Sequence, residues 1–401
     1  MKSMKFDEFV ESTPKIKIDK DAELEFVEMA NIIPGRRYVH SKKRKKISGG
    51  GSKFQNGDIL FARITPCLEH GKIAQFVSAS NKPAFGSTEF FVFRNRQGIS
   101  DIGFVYYLCL TDTIRKPAER SMTGASGRQR ANLESIKSLH LHVPDIRIQR
   151  KISSILSNYD NLIEINTCRI HLLEKMAKLI YDEWFVKFKF PEHEKVRIID
   201  SKYGKIPEGW EMKKLSEIIE FKKGKQARNI LEKTNENSMP YILIDGIKTG
   251  SHLYTDEKGV YVKRNDIIMV MDGASSGTVY TGQEGYIGST FALIDIKDKT
   301  VSPYFLLLYL MSNFSRISSN NTGAAIPHAN KDFIYGLNVI LPNKEIREKL
   351  FNNFESLLKM KTNLELKNIN LTKTRDLLLP KLISGEIDVS GLDIKIPGAE
   401  T

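Results

Sequence analysis

The sequence has few cysteines and no long apolar run. Its three cysteines, Cys67, Cys109 and Cys168, are odd in number and lack metal-site spacing, which is typical of a protein kept in a reducing compartment. The longest apolar run, Tyr304–Met311, is far shorter than the roughly 20 residues that cross a bilayer. The first residues, MKSMKFDEFVESTPKIKI, contain no apolar segment of the kind that a signal peptide needs. These absences predict a soluble protein of the cytoplasm.

The signatures of common DNA-acting enzymes are also missing. There is no Asn/Asp-Pro-Pro-Tyr/Phe motif of an amino-methyltransferase, no Walker A loop and no His/Cys cluster. Two Glu-x-Lys triplets, Glu211–Lys213 and Glu365–Lys367, lack the spaced Pro-Asp of a metal-dependent nuclease. The sequence therefore predicts no catalytic residue, no metal site and no cofactor bound by this chain.

Positive charge, in contrast, is abundant. Lys and Arg number 61 against 48 Asp and Glu, which gives a formal net charge of +13. Such a charge favours a polyanionic partner, of which nucleic acid is one. The length of 401 residues exceeds that of one ordinary domain and predicts two or three.

The second half of the chain repeats the first. Six short segments recur in the same order, with an offset that falls from 208 to 198 residues. They are Asp58-Ile59 and Asp266-Ile267, Gly86–Thr88 and Gly288–Thr290, Thr123–Ala125 and Thr322–Ala324, Ala131-Asn132 and Ala329-Asn330, Val143-Pro144 and Leu341-Pro342, and Ile148 with Lys151 and Ile346 with Lys349. Loops that differ in length produce such a drift, because loops tolerate insertions. The repeat predicts two similar domains; the alternative is similar turns in two unrelated domains.

Each half ends in a long segment with the apolar pattern of a helix. The 38 residues from Ile148 to Phe185 contain neither Pro nor Gly, and they would form a rod of roughly 57 Å. A rod of that length is too long to pack on one small domain, so we predict that the two helices pack on each other. The second segment has a leucine every seven residues, as in a coiled coil. The predicted packing residues are Ile152, Tyr159, Leu162, Leu173, Ile180, Leu350, Leu357, Leu364, Leu371 and Leu378.

Polar residues interrupt both helical patterns. They are Asn166 in the first segment and Lys361, Asn368 and Arg375 in the second. Polar residues at such positions fix the register of a coiled coil at some cost in stability. The alternative is that the segments are ordinary helices, each packed on its own domain.

The predicted fold class is α+β, with two repeated α/β domains and two long antiparallel coiled-coil helices. The predicted order is a first domain at 1–146, a long helix at 147–190, a linker at 191–206, a second domain at 207–343, a long helix at 344–383 and a tail at 384–401. Alternating apolar residues predict strands at Leu139–Val143 and Leu337–Leu341, each just before a proline.

Several segments resemble one family, the specificity subunits of Type I restriction–modification systems. Pro207–Leu215, which reads PEGWEMKKL, resembles the phrase that opens a target-recognition domain. Asn265–Ile268 resembles a strand motif of the family, Thr322–Ala324 with Leu341-Pro342 resembles its loop and ending, and Leu378–Ile387 resembles its usual carboxyl end. The first half departs from the pattern, because it lacks the Pro-x-Gly-Trp opening. With the doubled layout, the resemblance covers nearly the whole chain.

The resemblance implies a non-catalytic subunit that confers DNA specificity. Each recognition domain would read one half of a split double-stranded DNA target through the major groove, and the paired helices would fix the spacer. Two methyltransferase subunits would dock on the two pseudo-symmetric halves and methylate adenine N6 with S-adenosylmethionine; motor–nuclease subunits that use ATP and magnesium can join them. Two alternatives stay open: a nuclease with an unrecognised site, and a coiled-coil DNA-binding regulator without an enzyme partner.

Basic runs are the candidates for phosphate contacts, which position a protein on DNA without specifying sequence. The alternative is a solvated loop. The candidates are Arg36, Arg37, Lys42, Lys43, Arg44, Lys45 and Lys46 in the first domain, and Lys222, Lys223, Lys225 and Arg228 in the second.

Base reading is predicted in the loops that follow Thr123 and Thr322, because Arg pairs with guanine, and Gln or Asn with adenine. The candidates are Arg128, Gln129, Arg130 and Asn132 in the first loop, and His328, Asn330 and Lys331 in the second. The alternative is that Asn132 and Asn330 only cap the next helix. Arg63 and Asp272, just past matching strands, are weaker candidates.

Overall fold

The computed structural model describes residues 1–19, 21–47, 49–78, 80, 82–201, 204–249, 253–323 and 325–394. The chain divides into two compact units. Unit 1 contains Met1–Asn166 and Lys367–Thr401, and unit 2 contains Thr167–Leu366. Each unit therefore holds one globular domain together with a part of each long helix.

The globular domain of unit 1 is built on two sheets. The larger has the strand order Val10–Ser12, Phe90–Asn95, Ile59–Ala62, Ile73–Phe76 and Tyr38–Val39. The smaller has the order Lys43–Lys45, Leu24–Val27, Ala84–Gly86 and Ser52–Phe54, and Lys2–Lys5 pairs separately with His140–Val143. The short helices are Phe6–Phe9, Met29–Asn31 (3-10), Ile102–Leu110, Asp112–Arg120 and Leu133–Lys137.

The globular domain of unit 2 follows the same plan. One sheet has the order Ile219–Lys223, Phe291–Ile296, Ile267–Val270 and Val279–Tyr280, and the other Leu253–Thr255, Met239–Ile242, Gly285–Ile287 and Tyr261–Val262. Glu211–Lys214 pairs with Asn338–Leu341, and Ile198–Ser201 pairs with Gly204–Pro207. The short helices are His193–Lys195 (3-10), Leu215–Ile218, Ile244–Thr249, Pro303–Ser312, Phe314–Ser319 and Lys331–Tyr335.

A fully buried central strand explains why both domains need two cores. Successive side chains of a strand point to opposite faces of the sheet. In unit 1, Ile59 and Phe61 therefore enter one apolar cluster and Leu60 enters another. In unit 2, Ile267–Val270 divides its side chains between two clusters in the same alternating way. The repeat seen in the sequence is thus a repeat of structure, and the predicted α+β class with two repeated α/β domains is confirmed.

The long helices differ slightly from their predicted limits. The first long helix spans Ile146–Tyr181 and continues as a π turn, Asp182–Val186, so it ends before residue 190. The second long helix spans Lys344–Ser384. The segment predicted as a linker, 191–206, is structured at Ile198–Ser201, which pairs with Gly204–Pro207. The tail beyond residue 394 lies outside the described residues.

Within each unit the two long helices pack on each other, antiparallel. In unit 1 the contacts are Asp160 with Arg375 and Asn166 with Asn368; in unit 2 they are Glu174 with Lys361 and Trp184 of the π turn with Phe354. In both units a later residue of one helix meets an earlier residue of the other, as the sequence predicted.

The buried seam between the helices passes through the polar residues rather than along the leucine repeat. Asn166 and Arg375 are buried, whereas Leu364 and Leu371 are only half-buried. Leu162 is 49% exposed, so the prediction that it packs between the helices was wrong. Consecutive residues of a helix are rotated by about 100° around its axis, so Ile163 faces a different side from Leu162. The side-chain amide of Asn368 donates to the backbone carbonyl of Ile163, and it is therefore Ile163 that lies at the contact between the helices.

Candidate nucleic-acid interface

Each unit contains the same bridged loop beside the end of its central strand. In unit 1, the Arg130 N–H donates to the carbonyl of Thr123 at 2.9 Å, and the Thr123 N–H donates back at 3.1 Å. In unit 2, His328 and Thr322 exchange the same bonds at 2.7 and 2.8 Å. The two loops, 124–129 and 323–327, are thereby closed at their base in the same manner; residue 324 lies outside the described residues.

A second bridge fixes each loop against the strand end. Arg130 pairs with Ile64, which follows the strand Ile59–Ala62. His328 pairs with Asp272, which follows the strand Ile267–Val270. Arg130 and His328 thus occupy equivalent positions in the two domains, although their side chains differ.

In unit 1 the loop base carries two arginines around one carboxylate. Glu89 accepts from Arg130 at 2.7 and 2.9 Å and from Arg63 at 3.3 Å. The hydrogen bonds from Arg130 and then the charge of both arginines lower the pKa of Glu89, against a smaller opposing effect of burial. The cluster keeps a net positive charge, and the Arg130 guanidinium is held in a fixed orientation while remaining exposed.

In unit 2 the loop base carries a histidine and a lysine around an aspartate. Asp272 contacts Nδ1 of His328 at 2.7 Å and the ammonium of Lys223 at 3.2 Å. Burial raises the pKa of Asp272, but the hydrogen bonds from His328 and Lys223 outweigh it, so the net shift is downward. The structure therefore brings together three of the residues that the sequence singled out separately.

The two asparagines beyond the loops serve as helix caps. Oδ1 of Asn132 accepts from the N–H of Glu134 at 3.0 Å, and Oδ1 of Asn330 accepts from the N–H of Phe333 at 3.1 Å. These bonds satisfy N–H groups that the first helical turn leaves without partners. The capping alternative is confirmed for both side-chain oxygens, and base reading by these asparagines stays a prediction without support here.

Arg37 is not available to DNA, which corrects the prediction of a phosphate contact at this position. Its side chain is 8% exposed and donates to Oε1 of Gln75 at 3.0 Å and to the hydroxyl of Tyr107 at 3.3 Å. Its guanidinium also lies 5.0 Å from the ring centroid of Tyr38. The guanidinium of Arg37 is therefore engaged in contacts within unit 1.

The part of the first basic run from Lys42 to Lys46 is exposed at the surface. Lys43–Lys45 is an edge strand of the smaller sheet rather than a loop. Lys43 and Lys45 contact Glu28 at 3.1 and 3.6 Å, and the hydrogen bond from Lys43 lowers the pKa of Glu28. A strand of exposed cations can follow a phosphate backbone, and the carboxylate holds two of them in place.

The other predicted contact residues occupy varied positions. Lys222 forms an ion pair with Asp295 at 2.6 Å. Arg36 and Gln129 are half-buried, whereas the exposed residues are Lys42, Arg44, Lys46, Arg128, Lys225, Arg228 and Lys331. Sequence reasoning missed Glu89, although it directly follows the repeated Gly-Ser-Thr segment.

Among the residues that the structure describes, no group of three or more His, Cys, Asp or Glu side chains is placed to hold a metal ion. No helix in that part of the chain is long and apolar enough to cross a membrane.

Comparison with known proteins identifies the family. Residues 1–175 and 207–373 match the family described as Type I restriction modification DNA specificity domain. The chain is 25% identical over 302 residues to the Type I restriction enzyme MjaIX specificity subunit of Methanocaldococcus jannaschii, covering 72% of this chain and 70% of that protein. It is 24% identical over 443 residues to the HindI specificity subunit of Haemophilus influenzae, covering 90% and 94%.

A solved structure with the same fold agrees with this assignment. It is the Type-I restriction-modification system S subunit from M. genitalium, with a TM-score of 0.55, 17% identity and 95% coverage of each chain. This chain therefore belongs to the Type I restriction modification DNA specificity family and carries two copies of the domain.

Proposed function

We propose that this chain is the DNA-reading subunit of a Type I restriction–modification complex and has no catalytic centre of its own. The observation that carries the proposal is the bridged loop, which occurs in both units with different charged side chains at its base. Repeated DNA readers commonly bind separated half-sites. Because Arg130 stands where His328 stands in the other unit, the two half-sites are expected to differ.

The chemistry of the loop base fits base reading in the major groove. A guanidinium held by a carboxylate presents a fixed pair of donors, and the commonest specific contact in DNA complexes is arginine to O6 and N7 of guanine. Arg130 can exchange one or both of its bonds to Glu89 for such a contact, and Arg128 stands exposed beside it on the loop. Lys43 and Lys45 would hold the phosphates nearby.

Single substitutions at the loop base test this reading. We expect Arg130→Ala to relax one half of the methylated target and His328→Ala to relax only the other half. The measurement is a genome-wide map of N6-methyladenine in cells that carry this chain and its methyltransferase. Arg150→Ala, an exposed arginine on the first long helix, is the control and should leave the target unchanged. A variant that alters both half-sites would refute the assignment of one reader to each unit.

The long helices carry the best candidates for methyltransferase docking. Leu172, Met176 and Leu179 form an exposed apolar stripe on the first helix, with Leu179 64% exposed. On the second helix Leu377, which lies 198 residues after Leu179 and is its equivalent in the repeat, is 61% exposed. Apolar side chains exposed in a stripe mark protein interfaces. We propose that one methyltransferase subunit docks at each leucine, binds the S-adenosylmethionine itself, and is joined by ATP- and magnesium-dependent motor–nuclease subunits where these exist.

Stoichiometry tests the docking sites separately from DNA reading. We expect Leu179→Asp and Leu377→Asp each to remove one methyltransferase subunit from the purified complex, and the double variant to remove both. Native mass spectrometry measures the composition. Asn353→Asp, an exposed position of the second helix about 120° around its axis from Leu377, is the control for the added charge. Full retention of two methyltransferase subunits by the double variant would exclude these leucines as docking sites.

A further inference from the structure

Polar side chains of the two long helices contact each other across the seam between them. In unit 1, Asp160 pairs with Arg375, and the amide of Asn166 donates to that of Asn368 at 2.9 Å. In unit 2, the ammonium of Lys361 lies 2.8 Å from the carboxylate of Glu174. The side chains of Asp160 and Arg375 are each only 3% exposed, so this layer is as dry as the apolar layers around it. We call the three contacts the polar layers.

The repeat gives each of these residues a counterpart on the other helix, 198 positions away. None of the three polar layers is repeated at its counterpart positions. The counterparts are Leu358 for Asp160, Ala177 for Arg375, Leu364 for Asn166, Ile170 for Asn368, Thr372 for Glu174 and Ile163 for Lys361. Ala177 and Leu358 are both buried in unit 2, as Asp160 and Arg375 are in unit 1, so the offset aligns equivalent seam positions.

We propose that the polar layers form a pairing code, which makes the first long helix select the second and reject a second copy of itself. In a like-with-like pair of the same register, Asp160 would face Ala177 and Asn166 would face Ile170. A buried charge or amide that loses its partner is strongly destabilising. Only when the first long helix packs on the second does each polar side chain of the three layers meet its polar partner.

A pair of two second helices is destabilised for the same reason. If two copies of the second helix met, Arg375 would face Leu358, and Asn368 would face Leu364. Selectivity of this kind depends on making the wrong pair costly as well as the right pair favourable. A chain with two similar domains and two similar helices needs such a device, because like-with-like pairing would join two identical domains.

The layer at Asp160 is also adapted to the domain that it touches. The hydroxyl of Tyr107 donates to Asp160, and a guanidinium N–H of Arg375 donates to the carbonyl of Gly35 at 2.9 Å. In unit 2 the helix Pro303–Ser312 takes the place of Ile102–Leu110, and Leu308 stands where Tyr107 stands. The layer of Asp160 and Arg375 therefore lies against a tyrosine hydroxyl in unit 1. In unit 2, apolar residues stand at the positions of both the layer and the tyrosine. The inference does not depend on which DNA the chain reads.

Single substitutions in the full-length chain recreate the mismatched layers without any need for a dimer. Asn368→Ile places isoleucine opposite Asn166, as in a pair of first helices. Asn166→Leu places leucine opposite Asn368, as in a pair of second helices. We expect each to lower the melting midpoint by about 2–4 °C. The double variant N166L/N368I should melt at or above the wild-type midpoint, because both amides are then gone. Calorimetry and circular dichroism give the midpoints.

A matched control and a second layer make the test decisive. Asn158→Leu with Asn370→Ile makes the same change of composition at exposed positions of the same helices and should show no coupling. Asp160→Leu, Arg375→Ala and their double variant repeat the cycle at the buried ion pair, with the residues that stand at the counterpart positions. Non-additive effects in both layers, with the double variants recovering the loss, support the code. Additive effects in either layer, or single variants that melt like the wild type, would overturn it.

Discussion

Removal of Arg375 provides a quantitative test of how the first domain is held to the long helices. Arg375→Ala leaves the carboxylate of Asp160 buried, with the hydroxyl of Tyr107 as its remaining donor. It also removes the donor to the carbonyl of Gly35. Breaking a buried ion pair on one side typically costs about 3–5 kcal/mol. The guanidinium of Arg37 lies near enough to Asp160 to interact with it, so we expect the lower end of this range.

The expected loss corresponds to a large fall in melting temperature. For a unit of about 200 residues, each kcal/mol shifts the midpoint by roughly 2–4 °C, so about 3 kcal/mol lowers the unit 1 transition by about 6–12 °C. Calorimetry records both units, and the two tryptophans, Trp184 and Trp210, lie in unit 2 and assign its transition by fluorescence.

The control for this prediction is on the same helix. Lys373→Ala removes an exposed cation two positions away and should shift the midpoint by less than about 2 °C. If Arg375→Ala costs less than about 1 kcal/mol, the buried carboxylate does not depend on Arg375, and our assignment of the ion pair as the link between domain and helices is refuted.

Three further predictions concern charge and spacing. Because the hydrogen bonds from Arg130 lower the folded-state pKa of Glu89, the stability from this contact is present above the unfolded value and is lost as the pH falls through the folded value. The difference in melting midpoint between wild type and Glu89→Gln should therefore be full at about pH 6 and shrink as the pH falls below the unfolded value of about 4.3, and a difference that grows in acid would contradict the contact. Lys42→Ala with Lys46→Ala should reduce the salt dependence of DNA binding by the assembled complex by about two counterions, and an altered sequence preference would show that these lysines do more than neutralise phosphate. Insertion of one heptad into each long helix, after Thr167 and after Leu366, should lengthen the spacer of the methylated target by about 3 base pairs and leave both half-sites unchanged, which methylation mapping would detect; changed half-sites would contradict the proposal that the helices set the spacer.

The periodic parts of the chain could be predicted from sequence because their pattern is local. The alternation in Leu139–Val143 indicates a strand without knowledge of its neighbours, and the structure has His140–Val143 there. The polar residues Asn166 and Asn368 were recognised as determinants of register from their place in the helical pattern, and they contact each other. Patterns of this kind carry their own evidence of secondary structure.

Tertiary position, in contrast, has no local signal. Arg36 and Arg37 are adjacent in one basic run, yet only Arg37 is buried, because Gln75 and Tyr107 meet it from distant parts of the chain. The contribution of Glu89 to the loop base depends in the same way on Arg130, which lies 41 residues later in the chain. Such partners become visible only when the sheet brings them together.

Gln149 and Arg347 are equivalent positions of the two long helices, and their different side chains make the same hydrogen bond in the two units. Gln149 donates to the carbonyl of Pro144 at 2.9 Å at the start of the first long helix. Arg347, its counterpart on the second long helix, donates to the carbonyl of Pro342 at 3.1 Å and also to Glu211 at 2.5 Å. Both side chains are buried and tie a helix start to the strand before it.

Arg347→Gln should therefore be tolerated far better than Arg347→Ala. The glutamine can restore the bond to Pro342, and it leaves Glu211, which is 48% exposed, to be solvated by water, so we expect a loss of about 1 kcal/mol. Alanine leaves the buried carbonyl without this donor, and we expect about 2–3 kcal/mol. Trp210, next to Glu211, reports the melting of this region by fluorescence, and Lys349→Ala is the exposed control. If glutamine destabilises unit 2 as much as alanine does, the bond to Pro342 is not what the two repeats share, and the bonds from Arg347 to Glu211 and to the hydroxyl of Thr300 hold the second helix instead.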